Sequence, residues 1–343
     1  MNSNFYKFTK PSKKVAAFDL DDTLIKTKSK KKFPIDRDDY IYAFDNVDSK
    51  LNELLVNGYK IVIFTNQHGI QLRKSKLSNI IYKIEKLFPY ADYFISDKDD
   101  LYRKPMPGMY QQFIELNGNP TNVFYVGDAA GRIGDHSSAD VNFAYNSGIK
   151  FITQTQYFEN NKEDIKPVCI PLPNKSNSVR DVKEFNNNVV VIMQGYPGCG
   201  KTEFIKEYVK YNKIKDYLHL SNDEYTKSKL MKEYKKGLDN ELLIFIDNLN
   251  ATQKNRAEFI KLLPEHYSAV GIHIKTPLEI SFQLNKQRYY DSNIDPDYNG
   301  KVRRKVPKVA YNTYKMRFEK MTKKEGFYKV INFMPEIKLK YCF

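Results

Sequence analysis

Two groups of residues in this 343-residue chain have the types and spacing of phosphoryl chemistry. The first is Asp19-Leu20-Asp21-Asp22-Thr23, which follows a short apolar run. At a strand end, Asp19 and Asp21 share one face and can point into one pocket. Removing a phosphate from an ester needs a nucleophile, a proton donor for the leaving oxygen, and positive charge against the developing anion. Asp19 is expected as the nucleophile that forms an acyl-phosphate. Asp21 is expected to protonate the leaving alkoxide and later to activate the hydrolytic water. Carboxylates gathered around a phosphate repel it, so a hard cation is required; Mg²⁺ held by Asp19, Asp128 and the Asp21 carbonyl suits.

The second group is Gly195-Tyr196-Pro197-Gly198-Cys199-Gly200-Lys201-Thr202. Its GxxxxGK(S/T) spacing lies between a β-like run and a helix-like stretch, the context in which backbone N–H groups cradle a polyphosphate. Lys201 would reach the β/γ-phosphates and Thr202 would hold Mg²⁺. That implies transfer from a nucleoside triphosphate. Asp223, after the short run Leu218-His219-Leu220, is the candidate base for the acceptor hydroxyl. A helix N-cap reading of Asp223 is compatible with that role. Asp247, after residues 242–246, is the Walker-B-like carboxylate. Arg288 lies on an expected helix and on its own reads as part of a solvated face. Cys199 reads as a small filler of the loop.

Both groups depend on elements that bring distant residues together. Residues 15–18, 61–64 and 123–126 are apolar runs that read as buried parallel strands, and Asp19, Thr65 and Gly127-Asp128 follow them directly. In open α/β sheets sites form outside the carboxyl ends of strands, so these positions should converge. Residues 49–57 and 78–88 have helical apolar spacing. A second α/β pattern begins with the run 189–193, continues with a helix over 203–211, and adds strands at 242–246 and 271–274. Between the two, the periodicity fades around Pro167, Pro171 and Pro173. The expected division is 1–166, a linker 167–188, and 189–343.

Composition sets the remaining bounds. The chain is 41% hydrophobic, with no apolar run long enough to span a bilayer and no secretory leader pattern, so no membrane partner is expected. Cys169, Cys199 and Cys342 match no metal spacing, and a reducing intracellular compartment is the plain reading. The formal charge is +15. Residues 1–175 carry 25 Lys and Arg against 21 Asp and Glu; residues 176–343 carry 31 against 20. A basic half of this kind attracts phosphate-rich polymers or is simply a solvated surface. Lys301-Val302-Arg303-Arg304-Lys305-Val306-Pro307-Lys308 reads as a nucleic-acid contact, a nuclear localisation signal or a solvated run. Lys30-Lys31-Lys32 rims the first site or is solvated. No heptad or apolar stripe argues for an oligomer, and a monomer is expected.

The first group, with Thr65, Lys104 in Tyr102-Arg103-Lys104-Pro105, and Gly127-Asp128, resembles the haloacid dehalogenase phosphatase superfamily. The resemblance implies that Thr65 hydrogen-bonds the phosphate and that Lys104 balances nucleophile and phosphate charge. It also implies a further carboxylate, displaced here by an insertion to Asp140. Asp22 stands where the superfamily usually has Gly. Taken together, residues 18–25, Phe64-Thr65-Asn66-Gln67, residues 101–105, residues 126–132, the phosphate loop, Asp223, residues 246–250 and the Asn285/Arg288 pair are similar to the eukaryotic polynucleotide kinase 3′-phosphatase family.

That resemblance implies an α/β chain of two domains, a haloacid dehalogenase-like Rossmannoid sheet followed by a P-loop kinase sheet with a helical lid. It implies hydrolysis of 3′-phosphates and ATP-dependent phosphorylation of 5′-hydroxyls at DNA strand ends, in the nucleus or cytoplasm. Arg288 then becomes a lid arginine over the transferring phosphate. The family's forkhead-associated domain is not expected here. Leu249 replaces its usual Thr, and Asn222 stands where an Arg often precedes the catalytic Asp, which bears on kinase efficiency and acceptor preference. An RNA end-healing enzyme, a small-molecule phosphatase fused to a nucleoside kinase, and an inactive DNA-end scaffold are the competing readings.

Overall fold

A computed structural model describes residues 5–294 and 305–343. The chain divides into two compact units, Met1–Cys169 with Tyr341–Phe343, and Ile170–Lys340. In the first unit the order is β1 (Phe5–Lys7), β2 (Lys14–Phe18), β3 (Ile25–Lys26), β4 (Ile41–Tyr42), α1 (Val47–Val56), β5 (Lys60–Asn66), α2 (Leu77–Leu87), β6 (Asp92–Ser96), α3 (Gly108–Asn117), β7 (Asn122–Gly127), α4 (Ala139–Ser147), β8 (Lys150–Thr153) and α5 (Gln154–Glu159). A six-stranded sheet runs β1-β6-β5-β2-β7-β8, parallel except where β1 pairs with β6.

The apolar runs are continuous because both faces of this sheet are covered. Ala16, Phe18, Ile61 and Ile63 enter one core, while Val15, Ala17, Val62 and Phe64 enter the other. The order β5-β2-β7 then sets Thr65, Asp19 and Asp128 side by side at one end of the sheet, as the strand-end positions imply.

The second unit contains β9 (Val189–Gln194), α6 (Lys201–Tyr211), β10 (Tyr217–Leu220), α7 (Lys227–Asp239), β11 (Leu243–Ile246), α8 (Gln253–Ile260), β12 (Ser268–Ile274), α9 (Leu278–Ile294), α10 (Lys308–Arg317) and β13 (Phe327–Phe333). Its five strands are all parallel, ordered β10-β11-β9-β12-β13. The phosphate loop follows the central β9, and Asp247 follows its neighbour β11. Among the described residues no helix is long and apolar enough to cross a membrane.

Several details differ from the expectations above. Residues 170–188 belong to the second unit, since Val179 and Val182 are buried in its core and Asn177 donates its N–H to the Met334 carbonyl at 2.7 Å and accepts the Met334 N–H on its Oδ1 at 2.9 Å. Short apolar anchors do not register in a Pro-rich, polar stretch. Cys169 and Cys342 are joined in a disulfide, because residues 341–343 return to the first unit and Asn146 holds the Cys342 backbone there. The separation of the cysteines in sequence therefore no longer argues for a reducing compartment. The basic run falls partly on residues 301–304, which lie outside the described residues.

Arg256 of α8 is fully buried and forks onto Glu325 with contacts of 2.7 and 2.9 Å. It also donates to the carbonyls of Asn250 and Glu319 at 2.9 and 3.0 Å, tying the loop after β11 to the segment before β13. Arg256→Ala would leave the buried Glu325 carboxylate without its cationic partner. It is expected to cost about 3–5 kcal/mol and to lower the melting temperature of the second unit by roughly 6–20 °C. Calorimetry of the variant checks this, and a shift within error would show that the pair is dispensable.

Candidate active sites

The first site is built at the carboxyl end of the six-stranded sheet. Asp19 follows β2 and is 7% exposed; its backbone N–H donates to the Val126 carbonyl at 2.9 Å, which fixes it beside β7. Lys104 is almost wholly buried. Its ammonium donates to Asp19 Oδ1 at 2.5 Å and to the Tyr125 hydroxyl at 2.8 Å, and it lies 2.7 Å from Asp140 Oδ1. Asn66, at the end of β5, holds the Lys104 backbone through two hydrogen bonds of 2.9 and 3.0 Å. Asp140 opens α4 and takes the Ala129 N–H at 3.0 Å and the Tyr125 hydroxyl at 2.8 Å. Only glycine fits at position 127, because a Cβ there would lie 2.6 Å from the Asp140 carboxylate.

Asp19, Asp128 and Asp140 each place an oxygen within 4.8 Å of the others. Burial, reinforced by Asp140 and Asp128, raises the Asp19 carboxyl well above its ordinary range, against the pull of Lys104. Burial and then the charge of Asp140 push Asp128 up to about 7. Burial opposes the Lys104 ammonium, yet Asp140 and Asp19 hold it above its usual value. Three buried carboxylates sharing one lysine call for more positive charge, and an all-oxygen donor set suits a hard divalent cation. The residues present therefore fit a metal. Asp140 joins this cluster directly. The Asp21 side chain is not part of it.

Asp21 instead has donors of its own. Its Oδ2 accepts from Gln67 Nε2 at 2.6 Å and its Oδ1 from Lys83 at 3.0 Å. Gln67 Nε2 also donates to Thr65 Oγ1 at 2.9 Å, so Thr65 and Asp21 share a partner. Asp22 adopts φ 61°, the left-handed region that explains a glycine preference there and that aspartate tolerates. Above Asp21 opens a cleft of about 920 Å³ whose walls include Lys30, Lys31, Lys32, Arg37, Arg73 and Lys74. Lys30-Lys31-Lys32 thus rims the first site. Phe33 is 42% exposed on the same wall, with the Lys74 ammonium 5.2 Å from its ring centre.

In the second unit the loop from Gly195 to Gly200 leads into α6, which begins at Lys201. Gly198 has φ +72°, and a Cβ there would sit 2.8 Å from the Ser281 carbonyl, so α9 packs on the loop at a distance only glycine allows. The Lys201 ammonium, 8% exposed as a residue, donates to the carbonyls of Gly195 and Tyr196 at 3.1 and 2.9 Å. Pro197 lies between loop residues whose aromatic neighbour, Tyr196, packs on Tyr314 with ring centres 4.6 Å apart. Cys199 is buried and its carbonyl accepts from Thr276 at 2.7 Å; burial raises its thiol, which fits the filler reading.

Thr202 donates to Asp247 Oδ2 at 2.5 Å, and His219 Nε2 lies 3.1 Å from the same oxygen. Burial would raise Asp247, but the His219 hydrogen bond, the Lys201 charge and the Thr202 hydroxyl outweigh it and hold the carboxyl below its ordinary value. Asp223 is exposed, with its N–H on Ser221 Oγ at 3.2 Å. It does not cap a helix: Thr226 caps α7 by accepting from the Lys229 N–H. Arg288 on α9 lines a cavity of about 520 Å³ together with Gly198, Gly200, Thr202, Leu284 and Pro335.

Sequence reasoning did not single out Lys83, Gln67, Tyr125 or His219. A lysine on the apolar face of the helix over 78–88 was the available signal for Lys83; the other three read as ordinary strand or loop residues. Comparison with known proteins covers both units. A family model described as "Polynucleotide kinase 3 phosphatase" matches residues 14–158. A "Bifunctional polynucleotide phosphatase/kinase" of Schizosaccharomyces pombe is 34% identical over 337 residues, covering 94% of this chain and 80% of its own. A relative from Acanthamoeba polyphaga mimivirus is 31% identical over 370 residues, covering 92% of this chain and 83% of its own. The "Polynucleotide 3'-phosphatase ZDP" of Arabidopsis thaliana is 38% identical over 170 residues, covering 43% of this chain and 24% of its own. With matches at 31–34% identity over more than nine-tenths of its length, the chain belongs to the bifunctional polynucleotide phosphatase/kinase family.

Proposed function

We propose that this protein heals DNA strand ends, hydrolysing 3′-phosphates in its first unit and phosphorylating 5′-hydroxyls with ATP in its second. The observation that carries the reading is the pairing, in one chain, of a buried Asp19–Lys104 site under a basic cleft with a phosphate loop whose Thr202 meets the Asp247 carboxylate. In the first reaction an Asp19 oxygen attacks phosphorus, the bond from phosphorus to the 3′-oxygen breaks, and Asp21 protonates the departing oxygen. Water then attacks the aspartyl phosphate, giving up a proton to Asp21 and releasing inorganic phosphate. Thr65 and Lys104 hold the phosphate oxygens. Mg²⁺ at Asp19, Asp128 and the Asp21 carbonyl would supply charge that offsets the crowded anions, with Asp140 holding Lys104 in place.

In the second reaction Asp223 takes the proton of the 5′-hydroxyl as its oxygen attacks the γ-phosphorus of ATP, and ADP leaves. The loop amides, Lys201 and Arg288 offset the charge of the transferring group, while Thr202 and Asp247 would hold Mg²⁺. The lysine-lined cleft and exposed Phe33 suit a single-stranded end, where phosphates meet cations and a base meets an aromatic face. A monomer acting in the nucleus or cytoplasm completes the reading.

End-resolved electrophoresis of matched DNA and RNA oligonucleotides with a 3′-phosphate and a 5′-hydroxyl, with and without ATP, tests it. DNA is expected to lose its 3′-phosphate without ATP and to gain a 5′-phosphate only with it, both steeply weakened by salt. Preference for RNA would transfer the protein to RNA repair. Equal turnover of free nucleotides would favour a small-molecule enzyme.

A further inference from the structure

Lys83 occupies a position where the helix pattern calls for an apolar residue. The buried face of α2 consists of Ile80, Lys83 and Ile84, and the Lys83 side chain is 9% exposed. Burying an ammonium there costs stability unless a partner compensates it. The partner is Asp21 Oδ1 at 3.0 Å, on the floor of the basic cleft. The Asp21 side chain is itself 48% exposed, so packing alone does not fix its rotamer. Its second oxygen takes Gln67 Nε2 at 2.6 Å, and Gln67 is anchored by its own N–H on the Ser96 carbonyl, also at 2.6 Å. Two donors from separate elements, one per oxygen, leave this carboxyl a single orientation. A purely structural lysine would pair with a buried carboxylate, as Lys60 does with Asp92. Lys83 instead reaches out of the core to a half-exposed one.

We propose that Lys83 is a positioning residue of the phosphatase reaction, holding the Asp21 carboxyl toward the leaving 3′-oxygen from beneath the cleft. This rests on the role of Asp21 as proton donor proposed above. A group that positions the donor matters when the leaving oxygen needs a proton and little when it does not. An alkoxide leaving group needs one; p-nitrophenolate, already a good leaving group, does not. A residue that binds phosphate, or that only supports the fold, would affect both kinds of substrate alike.

The test compares kcat/KM for a 3′-phosphorylated DNA oligonucleotide and for p-nitrophenyl phosphate in the full chain, in Asp21→Asn, Lys83→Met and Lys83→Arg. kcat/KM reports the first, phosphoryl-transfer step, in which the proton is delivered. Lys83→Met is expected to lose roughly 30- to 100-fold on the oligonucleotide, the scale of a donor displaced by about 1 Å. The change in kcat/KM on the aryl ester should stay below about threefold, and Lys83→Arg should recover most of the loss on the oligonucleotide. Methionine suits the apolar face of α2; if its melting transition is nevertheless lost, Lys83→Gln carries the same comparison. Equal losses in kcat/KM on both substrates would overturn the proposal while leaving Asp21 its role, provided Asp21→Asn discriminates between the substrates. A flat response from Asp21→Asn would overturn both.

Discussion

Asp19→Asn is expected to abolish 3′-phosphate release, by at least about four orders of magnitude, while leaving 5′ phosphorylation at its original rate. Without the carboxylate no aspartyl phosphate forms, and the charge-offsetting groups around it retain only the residual catalysis that remains when a nucleophile is removed. The substitution preserves shape. Lys104 keeps Asp140 at 2.7 Å and the Tyr125 hydroxyl at 2.8 Å, so the pocket has reason to persist. Removing one of three crowded carboxylates also relieves the repulsion between Asp19 and its neighbours Asp140 and Asp128. Loss of activity therefore would not follow from loss of folding, and an unchanged melting temperature checks that. End-resolved electrophoresis reads the activity. Beryllium fluoride, which mimics an aspartyl phosphate, should bind the parent protein and not the variant. Release within tenfold of the parent would place the nucleophile elsewhere, and a parallel fall in kinase activity would show that the two sites are not independent.

The residues legible in sequence were those announced by their immediate neighbours. Asp19, Thr65 and Asp128 each follow an apolar run, and parallel strands buried on both faces make such runs unmistakable. The phosphate loop carries its own spacing. Lys104 and Asp140 required the family resemblance, because neither sits at a strand end; the sheet order and α4 bring them to Asp19. The pairing of Cys169 with Cys342 spans 173 residues and follows from where the last three residues pack, which no local pattern encodes. His219 was hidden inside an alternating strand: its neighbours Leu218 and Leu220 mark β10, but its meeting with Asp247 depends on β10 and β11 lying side by side. Asp223 was read correctly as following a short strand, yet the cap of α7 lies three residues beyond it at Thr226.

Lys201→Met is expected to do the converse of the Asp19 substitution, lowering 5′ phosphorylation by roughly two to three orders of magnitude, the scale of losing one preorganised charge at a transition state. In the structure the Lys201 ammonium rests on two carbonyls of its own loop, Gly195 and Tyr196, at 3.1 and 2.9 Å. These are neutral acceptors and a weak resting place for a cation. A triphosphate offers it full negative charge, so the side chain has a stronger partner when nucleotide is present. Methionine retains the length and apolar stem at this 8% exposed position, and the Thr202–Asp247 contact of 2.5 Å does not involve Lys201. The loop should therefore keep its shape while losing its charge. Arginine is not a conservative alternative, since a planar fork cannot occupy the space of a compact ammonium packed against the Cys199 sulfur at 3.8 Å. Transfer of radiolabelled γ-phosphate to a 5′-hydroxyl oligonucleotide measures the effect, with 3′-phosphate release from the same preparation as the internal reference. Kinase activity within tenfold of the parent would mean that the triphosphate does not sit in the glycine loop. Loss of both activities together would mean that Lys201 supports the fold of the whole chain, and that the charge it carries was never spent on the nucleotide.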